Sequence, residues 1–108
     1  VRTSSLNSTQ TTLGASETFT GVGETTPFTH IAIALKTDAD GDLYVDFSTD
    51  DGENWDSTLS ASVTADVSEY HIFQKNNRMY RVRLVNGSDA QTYLRMQTDT
   101  GDYQKGTA

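Results

Sequence analysis

From Thr29 onward the chain alternates apolar and polar positions with a period of two, the pattern of half-buried β-strands. Ile31, Ile33 and Leu35 fall on one side, with His30, Ala32, Ala34 and Lys36 on the other. Leu43, Val45 and Phe47 make the next apolar face, followed by Leu59, Ala61, Val63 and Ala65. Tyr70 and Ile72 open another strand that ends at the polar turn Lys75-Asn76-Asn77; Tyr80, Val82 and Leu84, then Leu94 and Met96, complete the series. Asp40-Gly41 predicts a tight hairpin, and Asn86-Gly87 opens the last clear turn. Upstream, Glu17 to Thr20 reads as a short strand before a loop holding Gly21, Gly23 and Pro27. No segment carries a helical i, i+3, i+4, i+7 stripe.

About seven or eight short strands at roughly ten-residue spacing predict an all-β domain: an antiparallel β-sandwich (jelly-roll or Ig-like) or a closed barrel. No internal repeat is present, which excludes a propeller or solenoid. Residues 1–13, VRTSSLNSTQTTL, have almost no apolar anchors and read as an extended N-terminal arm ordered against a neighbour. Residues 14–98 form the sandwich, and 99–108 a polar C-terminal tail.

At 108 residues the chain is one domain, and its 34% apolar content suits a thin, Thr- and Ser-rich sandwich. The absence of Cys excludes a disulfide framework, a thiolate metal site and a thiol nucleophile. A small domain without such staples gains stability from neighbours, so self-association or docking is expected. No apolar run is long enough to span a bilayer, and no signal-peptide pattern is visible. The formal net charge of −7 argues against non-specific binding to nucleic acid or to an anionic membrane.

The charge is uneven. Eight of the fifteen acids lie between Asp38 and Asp56, while Arg78, Arg81, Arg83 and Arg95 make half of the cations. These groups either pair across strands within the domain or form complementary patches that meet a partner. If the last two strands form a hairpin, Arg83 lies opposite Arg95, and the like charges need an anion from Asp46, Glu69 or another molecule. Arg81, Arg83, Tyr93 and Arg95 are therefore the candidate partner-binding residues.

Between Phe47 and Ser57 the chain reads S-x-D-x-G-x-x-W, with Ser48, Asp50, Gly52 and Trp55. This resembles the Asp-box, a hairpin turn found in sialidase propellers and in unrelated β proteins. There Ser and Asp side chains tie off backbone N–H groups, Gly supplies positive φ, and Trp covers the turn. The motif is structural. A sialidase would need several copies on a far longer chain, with an arginine cluster and a Tyr/Glu nucleophile pair.

Other chemistry is thin. Asp38, Asp40 and Asp42 form a weak Ca²⁺ candidate, extended by Asp50 and Asp51 if the loops converge; an EF-hand fails because Leu43 and Thr49 occupy the positions that need Gly and Glu. His30 and His71 lack ligand-spaced companions and are expected at a sheet surface. No nucleophile-elbow motif is present, and no cofactor or enzymatic activity is expected. Trp55, Tyr70, Tyr80 and Tyr93 could stack on sugar rings. The sequons at Asn7 and Asn86 are expected by chance in such a Ser/Thr-rich chain.

One resemblance covers much of the chain. A strand ending in K-T-D-x-D-G precedes L-Y-V-D-F-S-T-D-x-G-x-N-W-D, and R-x-Y-R-V-R-L-x-N-G-S-x-A-Q-T-Y-L-R-M-Q-T follows, here Lys36 to Asp56 and Arg78 to Thr98. This resembles a small β-sandwich module of tailed-bacteriophage virion structural proteins. The resemblance implies a non-enzymatic virion protein on the particle exterior, above all a capsid decoration protein. Its partners would be copies of itself and the major capsid protein. The alternative is a receptor- or glycan-binding module of a head or tail fibre.

Overall fold

The computed structural model describes residues 2–102. It contains nine strands: β1 Arg2–Thr9, β2 Thr18–Thr20, β3 Glu24–Thr25, β4 His30–Thr37, β5 Gly41–Ser48, β6 Ser57–Val63, β7 Glu69–Gln74, β8 Met79–Asn86 and β9 Leu94–Gly101. They form a four-stranded sheet ordered β1-β9-β4-β7 and a five-stranded sheet ordered β2-β8-β5-β6, with β3 continuing beside β8. All pairings are antiparallel. With β2 and β3 counted as one interrupted strand, this is the order of an eight-stranded jelly roll.

The core lies between the sheets. Ile31, Ile33 and Leu35 of β4 with Leu94 and Met96 of β9 face Leu43, Val45 and Phe47 of β5 and Tyr80, Val82 and Leu84 of β8. Each set is the apolar half of a period-two strand, as the sequence predicts. The short edge strands add partly buried Phe19, Leu59 and Phe73.

The connections differ from the predicted ones. Asp40-Gly41 is not a hairpin: β4 and β5 belong to different sheets, so the turn arches across the sandwich. Asn86-Gly87 likewise carries the chain from β8 to β9 in the opposite sheet, so Arg83 and Arg95 are not cross-strand neighbours. The two arches lock together where the Gly87 N–H donates to the Asp40 carbonyl at 2.9 Å. Of the predicted hairpins, the β5–β6 turn at Ser48–Trp55 joins strands that do pair.

Residues 1–13 are also not a separate arm. β1 pairs with β9 from Arg2↔Thr100 to Ser4↔Thr98, then bulges until Thr9↔Met96. The bulge drives Asn7 into the interior, where it is 0% exposed. Its Oδ1 accepts the Val82 N–H of β8 at 2.8 Å, and its Nδ2 donates to the Val22 carbonyl at 3.0 Å. One amide thus fills the gap between β2 and β3 and joins the two sheets. A Cβ on Gly21 would fall 2.0 Å from Asn7 Oδ1, which explains glycine there. Gly21→Ala is expected to cost about 2–3 kcal/mol by displacing Asn7, and little more in an Asn7→Ala background. Urea unfolding of both single variants and the double variant reads that coupling.

The predicted tail boundary also moves, because β9 runs to Gly101; positions 103–108 lie outside the described residues. Asn7 and Asn86 are both buried, so neither sequon side chain is presented at the surface.

Candidate functional site

The outer face of the five-stranded sheet holds the densest polar cluster. In β5, Asp42, Tyr44 and Asp46 point outward because Leu43, Val45 and Phe47 point in; in β8, Arg81 and Arg83 do so because Val82 and Leu84 point in. Register places Asp46 opposite Arg81 and Tyr44 opposite Arg83. Asp46 Oδ2 accepts Arg81 Nε at 2.8 Å and Arg83 Nε at 2.6 Å. Its Oδ1 accepts Arg83 Nη2 at 3.0 Å and Thr58 Oγ1 at 2.8 Å. The carboxylate is only 1% exposed, yet all its lone-pair directions are used.

Both guanidinium groups also stack. Arg81 Cζ lies 4.3 Å from the centre of the Trp55 ring, and Arg83 Cζ lies 4.7 Å from that of Tyr44. The result is a rigid row, Trp55–Arg81–Asp46–Arg83–Tyr44. Burial raises the Asp46 pKa, but the hydrogen bonds from Arg83, Arg81 and Thr58 outweigh it and hold the carboxyl below its ordinary value. The same bond pushes Arg83 up, so the pair stays ionised.

In the Ser48–Trp55 turn, side chains bond backbone N–H groups of the turn itself. Ser48 Oγ accepts the Gly52 N–H at 2.9 Å, and Asp50 Oδ1 accepts the Asn54 N–H at 2.8 Å. Gly52 takes φ +90°. Trp55 is half-buried over Gly23 and Arg81. Arg78 reaches back to Asp51 at 2.6 Å, an exposed pair of small energetic weight.

The calcium candidates do not converge. Asp38 is taken up by Thr92, accepting its backbone N–H at 2.9 Å, whereas Asp40 accepts the Ala65 N–H at 2.7 Å. Asp42 sits apart on the outer sheet face, exposed. Among the described residues no group of three His, Cys, Asp or Glu side chains is placed to hold a metal ion. His71 does not lie on an outer surface. It points toward the sandwich mouth with Phe73 and contacts Glu69 at 2.7 Å, while Glu69 also accepts the Thr64 N–H.

A second acidic cluster escapes sequence reading. Glu24 accepts hydrogen bonds from Ser4, from Tyr80 Oη at 2.6 Å and from Asn7 Nδ2 at 3.2 Å. Burial raises its pKa, but these donors and nearby Arg2 bring it below the ordinary value. Burial and the Glu24 bond push the Tyr80 phenol well up, which keeps it a donor. Nothing local in sequence connects positions 4, 7, 24 and 80; the β1 bulge does.

Four carboxyls, Glu24, Asp38, Asp46 and Asp50, therefore have folded pKa values below their ordinary ones. Their stabilisation is complete above the unfolded value of about 4 and is lost as pH falls through the lower folded values. Urea midpoints are expected to be level from pH 7 to about pH 5 and to fall steeply below about pH 4. A midpoint that rises on acidification would contradict this.

The remaining partner candidates lie on the other side of the molecule. Arg95 of β9 is exposed on the outer face of the four-stranded sheet, 5.3 Å above the Tyr93 ring. Arg81 and Arg83 do not share a patch with it. Next to Arg95 in register is Lys36; beyond them the β4–β7 half of the face is apolar, while β9 presents Gln97 and Asp99. Ala32 and Ala34 of β4 pair with Ile72 and Tyr70 of β7, which are 46% and 55% exposed. An open groove of about 830 Å³ runs beside them, lined by Ser5, Thr9, Ala34, Lys36, Arg95 and Gln97 among others.

The fold is thus a small jelly-roll domain with chemically different outer faces. The chain belongs to the family described as "Uncharacterised protein YqxG N-terminal domain", which matches residues 1–101. No curated protein sequence matches it. Among solved structures it is similar to the PBSX exported protein XepA, with a TM-score of 0.78 and 22% identity. That likeness covers 93% of this chain and 37% of XepA, so the chain spans little more than a third of that protein. At this identity the likeness shows the fold.

Proposed function

We propose that the domain is a non-enzymatic structural module of a phage-related particle and docks on a larger subunit through the outer face of its four-stranded sheet. The observation that carries this reading is the exposed apolar surface of Tyr70 and Ile72 beside Ala34, bordered by Lys36 and Arg95 at one end and by Gln97 and Asp99 along β9. The solvent side of an antiparallel sheet is ordinarily polar. An apolar centre with a cationic end fits a partner surface with an apolar centre and acidic groups at the matching end. The likeness to the PBSX exported protein XepA supports the phage setting.

Within that setting the role is decoration of the capsid exterior, with the major capsid protein and further copies of the domain as partners. Net charge −7 suits an outer surface that must not adhere to anionic polymers through most of its area. The test is sedimentation of the purified chain alone and with undecorated phage heads. Saturable co-sedimentation with heads is expected; its absence would overturn decoration. Retention on host cells in place of heads would favour the fibre reading, which the row of arginines and aromatic rings on the opposite face supports.

A further inference from the structure

We propose that the outer face of the five-stranded sheet binds an anionic carbohydrate, through a carboxylate or phosphate group seated on the free ends of Arg81 and Arg83. The two guanidinium groups share a single buried carboxylate, Asp46, and the other carboxylate of this face, the exposed Asp42, lies one register pair beyond Arg83 with no bond to either arginine.

The directions of the hydrogen bonds matter as much as the charge. Arg81 uses only Nε internally, and Arg83 uses Nε and Nη2. Arg81 Nη1 and Nη2 and Arg83 Nη1 have no acceptor among the described residues. The stems are fixed from below by Asp46 and from the side by Trp55 and Tyr44. A pair of planar, pre-oriented donor forks is what an oxyanion takes in bidentate fashion, with little entropy left to lose.

The surroundings specify the rest of the ligand. Register places Thr58 and Ser60 beside the row on β6, Thr20 beside it on β2, and Ser62 next to Asp42 at its end. A strip of hydroxyls beside two arginine ends held between aromatic rings suits a hydroxylated ring bearing one anion. A double-stranded nucleic acid would need far more cations than this face holds. The inference concerns the face opposite the docking surface, and it stands whether or not the domain decorates a capsid.

The test uses the full chain, with oligogalacturonate as the carboxylate probe, glucose 6-phosphate as the phosphate probe and a neutral oligosaccharide as control. Titrations are followed by the side-chain N–H resonances of Arg81 and Arg83. Saturable shifts with at least one anionic probe and none with the neutral one are expected, and the two probes tell which anion is taken. Arg81→Gln should abolish them. If that variant does not fold, Ser60→Glu decides: it places a negative charge on the exposed face beside Tyr44, leaves the Asp46 bonds intact, and should weaken binding about tenfold. No saturable response to either anionic probe, an equal response to the neutral sugar, or full binding by folded Ser60→Glu would overturn the proposal.

Discussion

Removal of residues 1–9 is expected to unfold the domain. β1 is one of only four strands in its sheet, and its loss would expose the β9 edge along the core residues Thr98 and Thr100. It would also remove Asn7, whose amide is the acceptor for the Val82 N–H and a donor to the Val22 carbonyl. The Val82 N–H is interior and would find no replacement, whereas the carbonyl of the half-exposed Val22 is nearer to water. The point variant Asn7→Ala isolates this part: each buried group left unpaired costs about 1–3 kcal/mol, so a loss of about 3 kcal/mol is expected. Against a total stability of about 5–15 kcal/mol, that is a large fraction from one polar residue. Equilibrium urea unfolding checks both. A truncated chain with an unchanged midpoint would return residues 1–13 to the status of an arm.

Asp46→Ala is expected to destabilise the fold by about 3 kcal/mol, toward the lower end of the range for breaking a buried ion pair. The discount reflects the arginines, whose side chains keep 26% and 29% of their exposure and can recruit water. What remains is two like charges two residues apart on one strand, with no anion between them. Asp46→Asn should recover part of the loss by retaining an acceptor for the Nε donors, and should also flatten the decline of stability below about pH 4. If Asp46→Ala unfolds at the wild-type urea concentration, the row is ornamental to the fold.

Much of the sandwich is legible in the alternation because β4, β5 and β8 each set three large apolar residues, and β9 two, against polar ones. Partner choice is not legible in the same way. Asp40-Gly41 and Asn86-Gly87 have hairpin chemistry, but a short turn can either fold a strand beside its predecessor or carry it across the core. Here Asp38 and Asp40 decide the matter by capping amides at Thr92 and Ala65, contacts distant in sequence. β1 is hidden for another reason: its interior residues are Ser4 and Asn7, and its bulge breaks the period. Asp46 could be named from sequence as a counter-ion for Arg83. Its joint hold on Arg81, and the rings of Trp55 and Tyr44 beyond, follow only from the β5–β8 register.

The two outer faces make the account testable in a single comparison. Co-sedimentation with undecorated phage heads should be measured for the wild-type chain, for Ile72→Asp and for Arg81→Gln, each first shown to be folded. Saturable binding by wild type and Arg81→Gln, with loss in Ile72→Asp, is the expected result. Binding that survives Ile72→Asp, or that no folded form shows, would contradict docking through the four-stranded sheet.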